Sequence, residues 1–167
     1  APLFEGLSIT RAGEAYQAHF QRYPVISLSF KGTKATTFED CWGAITRTIE
    51  ALFREHLYLL SSPRLDAFQI RDFRAIVERS AGRELYARAL LDLSTLLHAH
   101  HGEKVVILVD EYDTPIHAGY TKGYYDDVIT FFRDFLSGGL KDNQYLFKGV
   151  LTGILRIAKE SLFSGLN

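Results

Sequence analysis

The sequence of 167 residues has no methionine, one cysteine and four prolines. A single cysteine cannot close an internal disulfide. That excludes a disulfide-stapled scaffold and fits a reducing compartment, so a cytoplasmic location is expected. Cys41 stands beside Trp42 at the start of a helical pattern, with no activating base nearby, and reads as a buried structural thiol. Neither sign of charge dominates: 19 Lys and Arg face 20 Asp and Glu. Overall charge therefore gives no support for a nucleic-acid or membrane-surface partner. No apolar run is long enough to span a bilayer, and no charged-then-apolar leader opens the chain. Internal repeats, low-complexity tracts and a G-x-S-x-G nucleophile elbow are also lacking, so a serine hydrolase has no support. The missing methionine and the opening Ala1-Pro2-Leu3-Phe4 read as a piece of a longer protein, truncated at both ends.

What is present is apolar and aromatic. With 12 Phe and 9 Tyr in a chain that is 47% hydrophobic, disorder is excluded and one domain with its own core is expected. Val25 to Phe30 alternates apolar Ile26, Leu28 and Phe30 with Ser27 and Ser29, as in a half-buried strand at a sheet edge. Thr36, three residues before Glu39, suggests a capping box. Phe38, Trp42, Ile45, Ile49 and Leu52 follow at helical spacing, predicting a helix to about Leu60. Ser61-Ser62-Pro63 breaks it. Phe73, Ile76 and Val77 mark a shorter helix ending near Gly82. A third helix is expected from about Glu84, through Leu85, Leu90, Leu93 and Leu97, to Gly102.

Val105 to Val109 is an unbroken apolar run and reads as a central parallel strand buried on both faces. A loop containing Pro115 and Gly119 is expected next. Tyr124, Val128, Phe131, Phe132 and Phe135 then predict a helix stopping at Gly138-Gly139. A third strand is expected over Tyr145 to Thr152, and a helical tail over Ile154 to Phe163. The alternation of strands and helices argues an α/β fold with a parallel sheet and right-handed crossovers.

The sharpest chemical signal is Val106-Ile107-Leu108-Val109-Asp110-Glu111. Four apolar residues bury a strand and two carboxylates emerge at its C-terminal end, where open parallel sheets place their binding crevice. Asp110 could hold Mg²⁺ in a nucleotide site. Glu111 could orient and deprotonate a water that attacks a terminal phosphate. Taken alone, the same pattern equally describes an ordinary strand end with solvated acids. Asp113 could join a metal site, but the Asp113-Thr114-Pro115 context favours a turn role. Thr152, at the end of the next strand, could sense a phosphate or hold the attacking water, or be a plain turn residue. Arg156 is placed to reach an anion or to pair with Glu160.

Two other constellations carry less. His98, His100 and His101 raise a zinc reading, but imidazoles at a helix C-terminus explain them more simply. Arg71, Arg74, Arg79, Arg83 and Arg88, interleaved with acids, read as a solvated helical surface.

The string from Ile107 to Ile116, ILVDEYDTPI, resembles the Walker B region of the predicted AAA-ATPase-like family. Four further stretches agree in order: Leu3 to Leu7, Tyr23 to Lys31, Leu140 to Asn143, and Leu151 to Asn167. The resemblance implies a three-layer, P-loop NTPase-like parallel sheet flanked by helices, of the additional-strand class. In that class the sheet order is 5-1-4-3-2, and the strands of this chain would be the contiguous set 2-3-4. It implies ATP and Mg²⁺ as cofactors, Asp110 as the Mg²⁺ residue, Glu111 as the catalytic carboxylate and Thr152 as the sensor. Arg156 matches a recurrent family arginine of unassigned role. A C-terminal nuclease-like domain often accompanies such proteins. The departure is the phosphate loop: no G-x-x-x-x-G-K-[ST] occurs, and Gly32-Thr33-Lys34 follows the wrong strand. The amide cradle for the β- and γ-phosphates is therefore expected upstream, and these residues alone should bind ATP weakly or not at all. The alternatives are a catalytically inactive interaction module of the same fold and a metal-dependent nuclease on Asp110, Glu111 and Asp113. No lysine stands two residues after a second acid, which argues against the nuclease.

Overall fold

The computed structural model describes residues 4–141 and 143–154. A 3-10 turn at Ser8–Arg11 and a single helical turn, α1 (Glu14–Gln17), lead into strand β1 (Val25–Ser29). Helices α2 (Phe38–Glu55), α3 (Ala67–Val77), α4 (Arg83–Ala87) and α5 (Ala89–His101) follow. Strand β2 (Val105–Asp110), helices α6 (Thr114–Lys122) and α7 (Tyr125–Leu140), and strand β3 (Leu146–Leu151) complete the described chain.

The three strands form a parallel sheet in the order β1-β2-β3. This is the α/β class, with a parallel sheet flanked by helices, and the order matches the contiguous set expected. Pairing sets Leu108 between Ser27 and Val150, and Ser29 beside Asp110. Each strand therefore ends at one level, with its C-terminal residues side by side.

Period-two alternation decides which face is covered. Ile26, Leu28 and Phe30 of the first strand segment and Val105, Ile107 and Val109 of β2 point into the core with α2, α5 and α7. On the opposite face Val25, Ser27 and Ser29 are exposed, and Leu108 retains 36% of its surface. The central strand is thus buried on one face among the described residues, not on both. An unbroken apolar run cannot distinguish these cases.

Aromatic rings fill the core beneath the sheet. Phe30 meets Phe132 edge-on at 4.9 Å, and Trp42 meets Phe131 edge-on at 5.0 Å. Edge-to-face pairs of this kind add about 0.5–1.5 kcal/mol beyond their burial. Cys41 is fully buried, and burial pushes its thiol up, as suits a structural residue.

Several boundaries differ from the periodicity. Thr37, not Thr36, caps α2: its hydroxyl accepts from the Asp40 amide at 3.2 Å and donates to the Asp40 carboxylate at 2.9 Å. The helix then tightens at Leu57–Ser61 into 3-10 geometry instead of running on to Leu60. Helix α3 starts six residues before Phe73, behind a capping box between Asp66 and Gln69. The expected third helix is two, α4 and α5, broken at Arg88. Gly102 ends α5 in the left-handed conformation, as its position predicts.

The segment after β2 is a helix, α6, rather than a loop. Pro115 falls in its first turn, where a missing N–H costs nothing. Helix α7 continues through Gly138 and Gly139 to Leu140. Asn143 then joins α7 to β3: its side-chain amide donates to Gly139 O at 3.0 Å, and its side-chain oxygen accepts from Tyr145 N at 3.0 Å. The expected helical tail over Ile154 to Phe163 lies, beyond Ile154, outside the described residues.

Candidate functional site

Asp110 is the last residue of β2 and points to the open face of the sheet. The parallel register carries one hydroxyl to each side of it. From β1, Ser29 Oγ donates to Asp110 Oδ2 at 3.1 Å. From the end of β3, Thr152 Oγ1 donates to Asp110 Oδ1 in a short bond. The carboxylate is held below its ordinary range, first by Thr152, then by Ser29, with smaller help from the Glu111 amide and the Lys31 charge. Both hydroxyls serve the ionised form, which is how such bonds lower a pKa.

Glu111 follows in the left-handed region, with φ of 51°. Few side-chain-bearing residues adopt this backbone, and it turns the chain abruptly off the strand. Its Oε2 accepts from Thr114 Oγ1 at 3.1 Å, and its carbonyl accepts from Thr114 N at 3.1 Å. The Glu111 carboxylate is thus held by Thr114, on the residue that follows the Asp110 of the Ser29–Asp110–Thr152 trio.

Asp113 takes a different place. It is 4% exposed and faces inward, where its Oδ2 accepts from the Ile154 amide at 2.9 Å. The structure thus brings Asp110 and Thr152 into contact, sets Glu111 next to them, and directs Asp113 to the backbone after Thr152. Arg156 lies outside the described residues.

The sequence reading gives Ser29 no role in the site. The available signal was its place on the polar side of an alternating strand, two residues before Lys31. Its pairing with Asp110 spans 81 positions of sequence and needs the register to be seen.

The histidines are engaged locally. His98 Nδ1 bonds to Glu103 O at 3.1 Å and its ring stacks on Tyr145 at 4.6 Å. His100 bonds to Ser62 at 2.9 Å, and His101 to the Tyr58 hydroxyl at 2.9 Å. Among the described residues no group of three or more His, Cys, Asp or Glu converges as a metal centre. No helix among them is long and apolar enough to cross a membrane.

A parallel sheet whose strands end together on an Asp-Glu pair, flanked by helices, defines an α/β protein with a P-loop-like layered fold. The chain belongs to the predicted AAA-ATPase family, whose model matches residues 1–163. It is also similar to an uncharacterised protein encoded in the vnfD 5' region of Azotobacter chroococcum mcd 1, at 29% identity over 170 residues. That match takes in 99% of this chain and 28% of the relative's length. No solved structure matches the chain.

Proposed function

We propose that these residues form the part of an ATP-binding and ATP-hydrolysing domain that supplies its acidic strand end and sensor position. The observation that carries this reading is the Ser29–Asp110–Thr152 trio at the C-terminal ends of three adjacent parallel strands, with Glu111 beside it. An acid placed only to be solvated has no need of a hydroxyl from each neighbouring strand.

The donor set fits Mg²⁺. It consists of oxygen atoms only, it is exposed, and its carboxylate is kept ionised, as a hard divalent cation requires. Asp110 would hold the ion with the Ser29 and Thr152 hydroxyls close by, and the ion would offset the charge of the nucleotide phosphates. Glu111 is the general base in this reading: its carboxylate orients a water and accepts its proton. Thr152 bonds the acid and in this reading senses the terminal phosphate. Asp113 is assigned to support of this site, and Arg156 to an anion contact. ATP is the ligand, and a reducing, cytoplasmic setting suits the single buried thiol.

A phosphate loop is not among these 167 residues, so the test uses the full-length protein. ATP turnover with Mg²⁺ should be measured beside a Glu111→Gln variant. Turnover should fall by about 10²- to 10⁴-fold while ATP binding is kept. Neither binding nor turnover in the wild-type protein would refute the enzyme reading and leave an interaction module of the same fold.

A further inference from the structure

A carboxylate as deeply buried as Asp113 is costly unless the surrounding groups satisfy it. Asp113 Oδ2 receives the Ile154 amide at 2.9 Å. Its Oδ1 occupies the space that Gly153 leaves open: a Cβ on Gly153 would lie 2.6 Å from Oδ1 and 2.8 Å from Asp113 Cγ. The backbone on the other side of Gly153 is tied to the same loop. Thr152 N donates to Val109 O at 2.9 Å, and Tyr112 N donates to Thr152 O at 3.3 Å. Thr152 is therefore held before and after its own Cα by the segment that runs from Val109 to Asp113. The hydroxyl so fixed is the one that bonds Asp110.

We propose that Asp113 is a positioning residue: by gripping the Gly153–Ile154 backbone it sets the Thr152 hydroxyl on Asp110 and makes the ends of β2 and β3 move as one unit. Its kinetic consequence rests on the ATPase reading above. Gly153 belongs to the same device, because any side chain there displaces the Asp113 carboxylate.

The test compares Asp113→Ala, Asp113→Asn and Gly153→Ala in the full-length protein. Three quantities are read: hydrogen exchange of the Ile154 amide without nucleotide, kcat against KM for ATP, and the Mg²⁺ dependence of turnover. Asp113→Ala should speed exchange at Ile154 and lower kcat by about 10- to 100-fold with little change in KM, as loss of an outer-shell partner does. Asp113→Asn keeps an acceptor oxygen and should restore most of both. Gly153→Ala, which retains the carboxylate but crowds it, should reproduce Asp113→Ala and covers the case in which that variant folds poorly. Equal Ile154 exchange in wild type and both disrupted variants would overturn the proposal. So would a loss of turnover in Asp113→Ala that excess Mg²⁺ repairs while Ile154 exchange stays at the wild-type rate, since that marks a metal ligand and no grip on the backbone. A wild-type protein without turnover would refute the ATPase reading alone, and the exchange comparison would still decide the latch.

Discussion

Adjacent glycine-to-alanine substitutions near the end of α7 should move stability in opposite directions. Gly138 and Gly139 both lie in its last turn. Either substitution removes glycine's excess chain freedom and favours the helix by about 1 kcal/mol. At Gly138 the nearest atom to a new methyl is Leu91 Cβ at 3.9 Å, an ordinary contact. Gly138→Ala should therefore keep most of that gain, about 0.5–1 kcal/mol. At Gly139 the methyl would fall 2.7 Å from Leu90 Cβ and 2.8 Å from Leu90 Cδ1. Leu90 is fully buried in α5, and its Cβ is fixed by the backbone, so no rotamer change relieves the contact. Helices α5 and α7 must separate instead. Overpacking costs about 1–3 kcal/mol, and a clash with an immovable atom belongs at the upper end. Setting about 2–3 kcal/mol of strain against about 1 kcal/mol of helix gain leaves Gly139→Ala destabilised by about 1–2 kcal/mol.

Equilibrium urea unfolding followed through Trp42 fluorescence reads the result. Trp42 packs edge-on against Phe131 at 5.0 Å and Tyr86 at 5.7 Å, so its emission reports this part of the core. With an m-value of about 1–3 kcal/mol/M, the midpoint for Gly139→Ala should drop by roughly 0.3–2 M, and that for Gly138→Ala should rise. A Gly139→Ala midpoint at or above wild type would refute the packing argument. So would both variants shifting the same way.

Thr37→Ala removes the cap of α2 and should cost about 1 kcal/mol, whereas Thr36→Ala should stay within about 0.5 kcal/mol; the same unfolding assay separates them. Stability should also fall in mild acid. His56 is buried with an unpartnered Nε2, and its pKa is lowered first by burial and, in smaller measure, by His101, against an opposing pull from Glu55. His101 is lowered by burial and by His100. A lowered imidazole pKa means the unfolded chain binds the proton more readily. The folded state therefore loses stability as pH falls through 6.5, the ordinary imidazole value, toward the folded pKa, and keeps it above 6.5. Urea midpoints across pH 5 to 8 should show this slope, and His56→Phe should flatten it; an unchanged slope would place the proton uptake elsewhere.

Much of the architecture was legible because it rests on local pattern. The alternation of Val25 to Phe30, the apolar run of β2 and the helical spacing from Phe38 to Leu52 each follow from which side chains must leave water. The Asp110-Glu111 pair was legible for the same reason, since two charges after a buried strand must emerge at its end. Thr37 was missed because two adjacent threonines offer the same hydroxyl, and only the backbone decides which one faces the Asp40 amide. Local pattern reads the α6 segment as a loop because Pro115 and Gly119 break helices in the interior, while the observed helix starts one residue before that proline.

The sequence by itself determined the α/β class, the strand order implied by the family resemblance, and the acidic strand end. Only the tertiary structure decided which groups surround Asp110. Ser29 and Thr152 stand 81 and 42 residues from it, and their hydroxyls meet its two oxygens because the parallel register aligns the three strand ends. Asp113 reaches Ile154 across 41 residues by the same alignment. Gly139 reads as a helix stop until Leu90 is seen against it, because a glycine is kept in a helix when a neighbouring backbone comes too close for a methyl. Local spacing fixes what a segment can become. Contacts between distant segments arise only once the sheet and its helices have closed, and the chemistry of this site is built from those contacts.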